Sequence, residues 1–309
     1  MWRYDSLAFR NIGYYLYQGK PLSEIAKIYS KLSKSRNVDM SDKEANMLIK
    51  RILKLPVDEQ EVAIRKIKLI FLYTCLPQID QFLDTYFRRV HYIAPLRATA
   101  ERYYRLRNLA IDEVDYQGKN LAIFINGLTT PRLKNFQRWT QEHFGFMVLT
   151  EKGEGHLSVK IALGETGKTI NLSDTGFGYS QILPIITQLW DLSTRKQNGF
   201  SKNVPLVIAI EQPELHLHPA IQARLTDVFI ASIKLAEKNG YALQLLLETH
   251  SQTIVNRFGQ AIAKGKLDSK DISVVLFDKT LDSNQTTVRT SCYNKDGYLQ
   301  DWPLGFLAP

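Results

Sequence analysis

Residues 205–219 constrain the fold most, because a short apolar run there ends abruptly in an acidic residue. The run 206–210 is bounded by Pro205 and Pro213 and is rich in β-branched residues, which is typical of a fully buried parallel strand. Glu211 follows at the carboxyl end of that strand, where open α/β sheets hold their ligands. A carboxylate there can hold Mg²⁺. The alternative is an ordinary core strand that ends in a solvated turn.

Two further stretches favour a ligand site. Residues 245–251, Leu-Leu-Leu-Glu-Thr-His-Ser, repeat the design of an apolar strand with a polar tip that carries a histidine. Residues 172–181, Leu-Ser-Asp-Thr-Gly-Phe-Gly-Tyr-Ser-Gln, indicate a glycine-rich turn that opens a helix. The first amides of a helix are free to bind anions, so this turn is a candidate anion site.

The region 89–309 has the pattern of an α/β domain. From residue 179 onward helices and strands alternate, which predicts a parallel sheet with helical crossovers. The helices are expected at 179–193, 219–238 and 252–264, and the strands at 206–210 and 242–247. Antiparallel strands are expected at 146–149, 156–163 and 169–172, after helices at 119–127 and 131–143. Strands at 272–277 and 286–290 complete the domain.

Residues 1–88 are predicted to form a helical region. Amphipathic spacing starts at Pro21, residues 41–44 resemble a capping box for a second helix, and further helices are expected from Asp58 and over 76–89. The basic side chains of this region form either a solvated face or an arm that binds DNA or a partner. They are Lys27, Lys31, Lys34, Arg36, Lys50, Arg51, Lys54, Arg65, Lys66 and Lys68.

Composition narrows the class of protein. The formal net charge of +9 is compatible with nucleic-acid contact, although the basic residues are spread over helices rather than massed in one block. No apolar stretch reaches the ~20 residues that a membrane span needs, and no signal peptide is recognisable. Cys75 and Cys292 are too few for a disulfide framework. The cytoplasm is therefore the expected compartment.

The order of these motifs resembles that of the ABC-type ATPases: signature turn, Walker B strand, D-loop and switch histidine. More closely, the chain resembles the soluble AAA-family relatives of SMC and OLD proteins found in bacterial defence and DNA-maintenance loci. The resemblance rests on "GFGxSQ" at 176–181, "IEQPExHLHP" at 210–219 and "ETHS" at 248–251, and on the ending at 296–303. It covers residues 88–309 and implies a P-loop NTPase-like fold that binds ATP and Mg²⁺.

The resemblance implies a role for each polar residue after the two strands. Glu211 takes the Walker B position and would hold Mg²⁺, and His250 matches the switch histidine that contacts the γ-phosphate. Gln212 stands where a water-polarising carboxylate is usual. It can orient water but cannot accept a proton, so hydrolysis would be slow or would use Glu214 or Glu248. For Glu214, a turn-capping role is the alternative.

Gly176, Gly178, Ser180 and Gln181 match the signature turn, which in such enzymes meets the nucleotide of the opposite subunit. Phe177 replaces the usual signature serine, so that hydroxyl contact is missing or comes from Ser180. Packing is the alternative role of the glycines. The resemblance implies a head-to-tail dimer with nucleotide between the subunits.

Three other residues are candidates for functional contacts. Arg97, in a "Y-h-x-P-L-R" turn, either approaches phosphate or forms a structural ion pair. His216 and His218 match the segment that crosses to a partner subunit, and zinc binding is not expected because no further ligands lie nearby in sequence.

A Walker A phosphate loop is not recognisable in this sequence. Residues 162–169, Ala-Leu-Gly-Glu-Thr-Gly-Lys-Thr, fit a relaxed motif, but a helix would have to begin at Lys168, and the following residues are β-branched and then turn-rich. We predict a hairpin turn there. The expectation is that the chain lacks the family's N-terminal Walker A segment, as a fragment, one half of a split protein or a degenerate member.

Two functions remain open. One is an ATP-binding, ABC/SMC-like ATPase domain that works as a nucleotide-gated dimer in bacterial defence or DNA maintenance. The other is a non-catalytic subunit or truncated fragment that complements an intact ATPase. The expected partners are a second copy or a related ATPase, with DNA or an effector protein from a neighbouring gene, and no membrane. Intrinsic nuclease activity is not expected, since only about thirty residues follow residue 278.

Overall fold

The computed structural model describes residues 7–32, 40–105, 111–164, 168–195, 204–279 and 285–300. The chain divides into two compact units, Met1–Arg88 and Arg89–Pro309, each with its own hydrophobic core. Within the described ranges, no helix is both long and apolar enough to cross a bilayer.

The first unit is helical in its described part. Its helices are α1 (Leu7–Tyr17), α2 (Leu22–Leu32), α3 (Met40–Ile52) and α4 (Val57–Phe87). The core contains Ile25 and Tyr29, as the helical spacing of α2 predicts, together with Ile12, Ile49 and Ile67. The capping box expected at 41–44 lies outside the side chains that the structure describes.

The prediction of two separate helices after residue 57 is wrong. Helix α4 continues for 31 residues and carries Pro77 in its interior. A proline removes one backbone hydrogen bond and crowds the preceding turn, but it does not have to end a helix whose other turns keep their bonds.

The second unit contains nine strands and five α-helices in its described part. They are β1 (Val90–Ile93), β2 (Tyr104–Arg105), α5 (Leu121–Gly127), α6 (Thr130–Phe144), β3 (Phe146–Lys152), β4 (His156–Leu163), β5 (Thr169–Asn171), α7 (Phe177–Thr194), β6 (Leu206–Glu211), α8 (Pro219–Lys238), β7 (Leu243–Glu248), α9 (Gln252–Ala263), β8 (Val274–Lys279) and β9 (Thr286–Ser291). Short 3₁₀ turns cover Leu172–Asp174 and Ser269–Asp271. The predicted α/β class is confirmed.

The parallel sheet has the order β1-β6-β7, with β6 in the centre. One face of β6 is buried through Leu206, Ile208 and Ile210, which belong to the main core. The opposite face is only partly covered, so the prediction of a fully buried strand is wrong for Val207 and Ala209. On that side the described residues provide no complete covering layer, unlike the usual parallel sheet.

The antiparallel section follows the predicted strands. β4 pairs with β2 and β3, and β5 pairs with β4 through Lys160 and Asn171, Ile161 and Ile170, and Ala162 and Thr169. Lys168 is followed directly by a strand rather than by a helix. The pairing of β4 with β5 confirms the predicted hairpin, and the residues after Lys168 do not form the helix that a phosphate loop requires.

Helix α7 passes through the centre of the main core. Every residue from Ser180 to Ser193 is buried, including Leu183, Ile186 and Trp190. Trp190 packs against Phe136 of α6, with ring centroids 4.8 Å apart. This packing fixes the N-terminus of α7, which carries the glycine-rich turn.

Candidate functional site

The carboxyl ends of β6 and β7 bring two carboxylates to one edge of the parallel sheet. Glu211 is the last residue of β6, Glu248 is the last residue of β7, and the two are in register. Opposite residues in neighbouring strands present their side chains on the same face of a sheet. The structure therefore places the predicted metal ligand beside a second acidic residue, on the face that is only partly covered.

Tyr92 of β1 is the third polar group on this face. Its hydroxyl donates a hydrogen bond of 2.9 Å to Oε1 of Glu211. This bond to a carboxylate raises the pKa of the Tyr92 phenol, with smaller contributions from partial burial and charge. The Tyr92 ring is 42% exposed and Leu246, on the same face of β7, is 66% exposed. The two carboxylates at the strand ends therefore lie beside an apolar sheet face that is accessible to solvent.

Arg97 lies beneath the turn that follows β6. Its guanidinium donates to the backbone carbonyls of Ala94 at 3.2 Å, Glu211 at 3.4 Å and Gln212 at 3.2 Å. The side chain is 4% exposed, and its Nε has no hydrogen-bond partner among the residues that the structure describes. Burial lowers the pKa of Arg97 to about 10, while the Glu214 carboxylate opposes that shift. The hydrogen bonds of Arg97 thus go to backbone carbonyls. Arg97 therefore has a structural role, but not through the ion pair that the sequence suggested.

The loop after β6 has an unusual backbone. Gln212 and His216 adopt positive φ angles of 43° and 61°. Non-glycine residues occupy this region at a cost and are concentrated at functional sites. The amide of Gln212 donates to the Glu248 carbonyl at 2.8 Å, which extends the pairing of β6 with β7 by one bond. The loop is consequently held close to the end of β7.

Glu214 joins this loop to the segment after β7. Its Oε2 accepts the Thr249 hydroxyl at 2.7 Å, and its Oε1 accepts the backbone N–H of His250 at 2.8 Å. Both carboxylate oxygens are engaged, which supports the capping role of Glu214. Ser251 then caps α9 by accepting the Ile254 amide at 3.2 Å. The structure therefore holds the predicted switch histidine between a carboxylate anchor and a capped helix.

The glycine-rich turn contacts the same loop from the other side. Gly176 precedes the first turn of α7, and an added Cβ on Gly178 would lie 3.2 Å from the His216 carbonyl oxygen. The rings of Phe177 and His216 meet edge to face, with centroids 4.8 Å apart. Gly178 thus permits close approach, while an added Cβ on Gly176 would meet open space.

The two polar residues predicted in this turn lie inside the protein. Ser180 is buried and donates to the Phe177 carbonyl at 2.7 Å. Gln181 is buried and donates to the Arg97 carbonyl at 3.2 Å. The structure brings Gly176, Gly178 and His216 to one surface, whereas Ser180 and Gln181 connect that surface to the interior.

The oxygen donors at the sheet edge fit Mg²⁺. The ion prefers oxygen ligands, keeps several waters and commonly binds through one or two carboxylates together with substrate phosphates. Glu211 and Glu248 supply such carboxylates. No group of three or more His, Cys, Asp or Glu side chains suited to a metal occurs in the described part of the chain. Phosphate and water oxygens would therefore complete the coordination. His218 has a different role from metal binding: its Nδ1 accepts a hydrogen bond from the Ala220 amide and caps α8.

Sequence reasoning did not identify Tyr92 or Thr249 as part of this site. Tyr92 lies 119 positions before its hydrogen-bond partner, and nothing local in the sequence links them. The alternation of β1 predicts only that Tyr92 and Val90 share a face. Thr249 could have been found from the sequence, because it is next to the predicted histidine and its hydroxyl can form a hydrogen bond with a nearby loop.

Known proteins show similarity in sequence and in structure. The chain is 31% identical over 102 residues to "Endonuclease GajA" of Bacillus cereus (strain HuB5-5), a match over 32% of this chain and 15% of that protein. Solved SMC proteins align weakly. A structure titled for ATP-driven dimerization and DNA-stimulated activation of SMC ATPases has a TM-score of 0.35 at 11% identity, covering 54% of this chain and 87% of that one. The Smc head domain of Pyrococcus yayanosii has a TM-score of 0.34 at 11% identity, and the alignment covers 89% of this chain and 40% of that one.

The family comparison covers far more of the chain than the similarity to a single curated protein. A family model described as an AAA ATPase domain matches residues 18–255. This range includes the glycine-rich turn, the loop after β6 and the segment after β7. This chain belongs to the AAA ATPase domain family.

Proposed function

We propose that the chain is an ATP-binding subunit of the ABC/SMC-like type, which works as a nucleotide-gated dimer in bacterial defence or DNA maintenance. Mg²⁺·ATP binds at the common end of β6 and β7, and hydrolysis requires a phosphate-binding loop. The observation that carries the proposal is the register of Glu211 and Glu248 at one sheet edge, with His250 anchored beside them through Glu214.

The roles of the residues follow from their positions. Glu211 holds Mg²⁺, which supplies charge neutralisation at the phosphates when it is bound. Gln212 orients water through its carboxamide, and its strained backbone sets the direction of that side chain. His250 contacts the terminal phosphate. Its segment is preorganised because Glu214 fixes the His250 amide and Ser251 caps the next helix.

The dimer is supported by the accessible surface at the start of α7. Gly176 and Phe177 are exposed there, and the free amides of the first helical turn suit an anion. In the proposed dimer this turn faces the nucleotide of the second subunit, and His216 lies at the same interface between the subunits. The setting in defence or DNA maintenance, with DNA or a neighbouring gene product as partner, rests on the motif resemblance.

Equilibrium binding of a fluorescent ATP analogue tests this proposal. Glu211→Gln removes the charge of the metal ligand, and Glu237→Gln, at an exposed position near the end of α8, is the matched control. We expect Mg²⁺-dependent binding that Glu211→Gln weakens by at least about tenfold and that Glu237→Gln leaves unchanged. Equal affinity of wild type and Glu211→Gln contradicts the proposal.

The open sheet face favours a second candidate function. Parallel sheets are normally covered on both faces, yet Leu246 is 66% exposed beside the acidic edge. This exposure supports a subunit whose site is completed by the phosphate-binding segment of an intact ATPase. That candidate predicts no ATP binding by this chain alone, together with stimulation of the ATPase when both proteins are mixed. Mg²⁺-dependent binding by the isolated chain contradicts it.

A further inference from the structure

Helix α4 carries an exposed apolar seam that the nucleotide site does not use. Its residues are Leu69, Leu72, Leu76, Ile79, Leu83 and Tyr86. Each side chain is between 37% and 66% exposed. Single exposed apolar residues are common on protein surfaces, but a continuous row of six on one helix marks an interaction site.

The spacing of the seam is that of a coiled coil. Successive members are separated by three, four, three, four and three residues, which is the a/d heptad pattern. Val62, which is 51% exposed, extends the pattern by one heptad toward the N-terminus, with Arg65 at the intervening position. A heptad pattern sustained over three or more repeats argues for a partner helix rather than for solvent.

In the N-terminal half of α4, the side opposite the seam already has its packing partners. Ile67 is 3% exposed in the core of the first unit, and Ala63, Ile64 and Ile70 pack against that core. These positions lie about 180° around the helix from the seam, given 3.6 residues per turn. Helix α4 can therefore keep its contacts with α1 while the seam accepts another helix.

The pattern of charges along α4 indicates which partner helix fits the seam. Four blocks alternate in sign: Asp58, Glu59 and Glu61 are acidic, Arg65, Lys66 and Lys68 are basic, Asp80 and Asp84 are acidic, and Arg88 is basic. A second copy in antiparallel orientation brings each block against one of opposite sign. A parallel copy brings like charges together, including Arg65 against Arg65 within the seam, which is unfavourable.

We propose that α4 forms an antiparallel two-helix contact with α4 of a second copy of this chain. The contact buries the seam around a two-fold axis midway between Leu72 and Leu76. It requires no nucleotide, because none of its residues belongs to the site at the ends of β6 and β7. It is therefore a second dimer contact, separate from the nucleotide-gated one.

Sedimentation of the full chain without nucleotide tests the contact. The disrupting variant is Leu76→Glu with Ile79→Glu. The matched control is Gln78→Glu with Gln81→Glu, which adds the same charge to exposed positions of the same helix off the seam. We expect a wild-type dimer, a dissociation constant raised at least about tenfold in the seam variant, and a change below about threefold in the control. A monomeric wild type overturns the proposal, as does a seam variant that dimerises like the control.

Charge reversal provides a variant that leaves the apolar seam intact. Lys66→Glu with Lys68→Glu sets acidic residues against the partner's Asp80 and Asp84, so dimerisation weakens. Adding Asp80→Lys and Asp84→Lys restores opposite signs and recovers most of the affinity. Absence of this recovery overturns the antiparallel orientation.

Spin-label distances test the orientation directly. A label at Cys75 lies near the axis, whereas a label at Thr85→Cys, in a variant with Cys75→Ser and Cys292→Ser, lies near one end of the contact. At 1.5 Å per residue, the antiparallel dimer gives an inter-label distance at residue 85 that is longer than the one at residue 75 by at least about 10 Å. Equal distances at the two positions overturn the proposal.

Discussion

The Glu214 carboxylate accepts the backbone N–H of His250 at 2.8 Å and thereby ties the loop after β6 to the segment after β7. Both segments follow neighbouring parallel strands, so one carboxylate connects the two parts of the candidate site. A histidine that is to report the presence of a phosphate needs a fixed backbone. Glu214 provides that restraint, and it is itself held through the Thr249 hydroxyl.

Glu214→Gln should destabilise the protein and loosen the His250 segment. A carboxamide offers one acceptor oxygen where the native side chain uses two, so its NH₂ group faces a donor. Hydrogen bonds to charged groups contribute about 1.5–3 kcal/mol, and we expect a loss of that size in the free energy of unfolding. Urea denaturation measures it, with Glu237→Gln as the exposed control. A loss no larger than that of the control would show that Glu214 is not an anchor.

Arg97→Met should destabilise the turn that presents Glu211. The substitution leaves the carbonyls of Ala94, Glu211 and Gln212 without their buried donor. Buried polar groups left unpaired cost about 1–3 kcal/mol each, although removing a buried charge offsets part of that cost. We expect a net loss of about 1–3 kcal/mol by thermal or urea denaturation.

The control for Arg97 is Arg138→Met, an exposed position on α6. Exposed substitutions usually change stability by less than about 0.5 kcal/mol. Equal effects at the two arginines would contradict the role of Arg97 as a buried support.

Gly259→Ala should be destabilising although it lies within helix α9. An added Cβ would meet the carbonyl oxygen of Gly297 well inside van der Waals contact. Alanine gains up to about 1 kcal/mol over glycine in a helix, but moving a backbone carbonyl costs more, so we expect a net loss. Gly127→Ala, at the end of α5 where an added Cβ meets nothing within 4 Å, should be neutral or stabilising. Thermal unfolding of the pair measures the difference, and a stabilised Gly259→Ala variant would refute the close approach.

The pH dependence of stability should include a contribution from His91. Burial lowers the pKa of His91 below 6.5, while Glu113 and Asp191 oppose the shift and Arg195 and Arg89 add to it. The folded state therefore binds the proton less readily than the unfolded state does. Stability is full above the unfolded pKa and falls as the pH drops through 6.5 toward the folded pKa.

His91→Gln should accordingly flatten the profile of unfolding free energy between about pH 7.5 and 5.5. Urea denaturation across that range measures the effect. A variant profile as steep as that of the wild type would assign the dependence to other groups, such as His143, whose pKa burial also lowers.

The sequence was most informative where the hydrophobic periodicity agrees with the residues that begin or end helices and strands. Helix α8 has the predicted bounds because Pro219 opens it and its apolar spacing continues to Lys238. The hairpin of β4 and β5 was predictable because β-branched residues after Lys168 oppose a helix. The helices expected from Asp58 and over 76–89 are instead one continuous helix, because the turns on both sides of Pro77 remain intact.

The site was predictable only in its parts. Glu211 and His250 could be found from strand ends, and parallel pairing explains why they come together. The hydrogen bonds from Tyr92 to Glu211 and from Arg97 to Gln212 could not be found this way, since each joins residues more than 100 positions apart. The partial exposure of Val207 and Ala209 also escaped prediction, because an apolar run does not reveal how many faces of its sheet are covered.

Paramagnetic broadening of methyl signals by Mn²⁺·ATP tests the central claim most directly, with Mg²⁺·ATP as the diamagnetic reference. Leu246 and Leu243 lie in the same strand, near the acidic edge and at the far end respectively. Because broadening falls steeply with distance, a metal–nucleotide complex held by Glu211 and Glu248 should broaden the Leu246 methyl signals strongly and those of Leu243 much less. Broadening that is absent, or that is stronger at Leu243 than at Leu246, would contradict a nucleotide site at the carboxyl ends of β6 and β7.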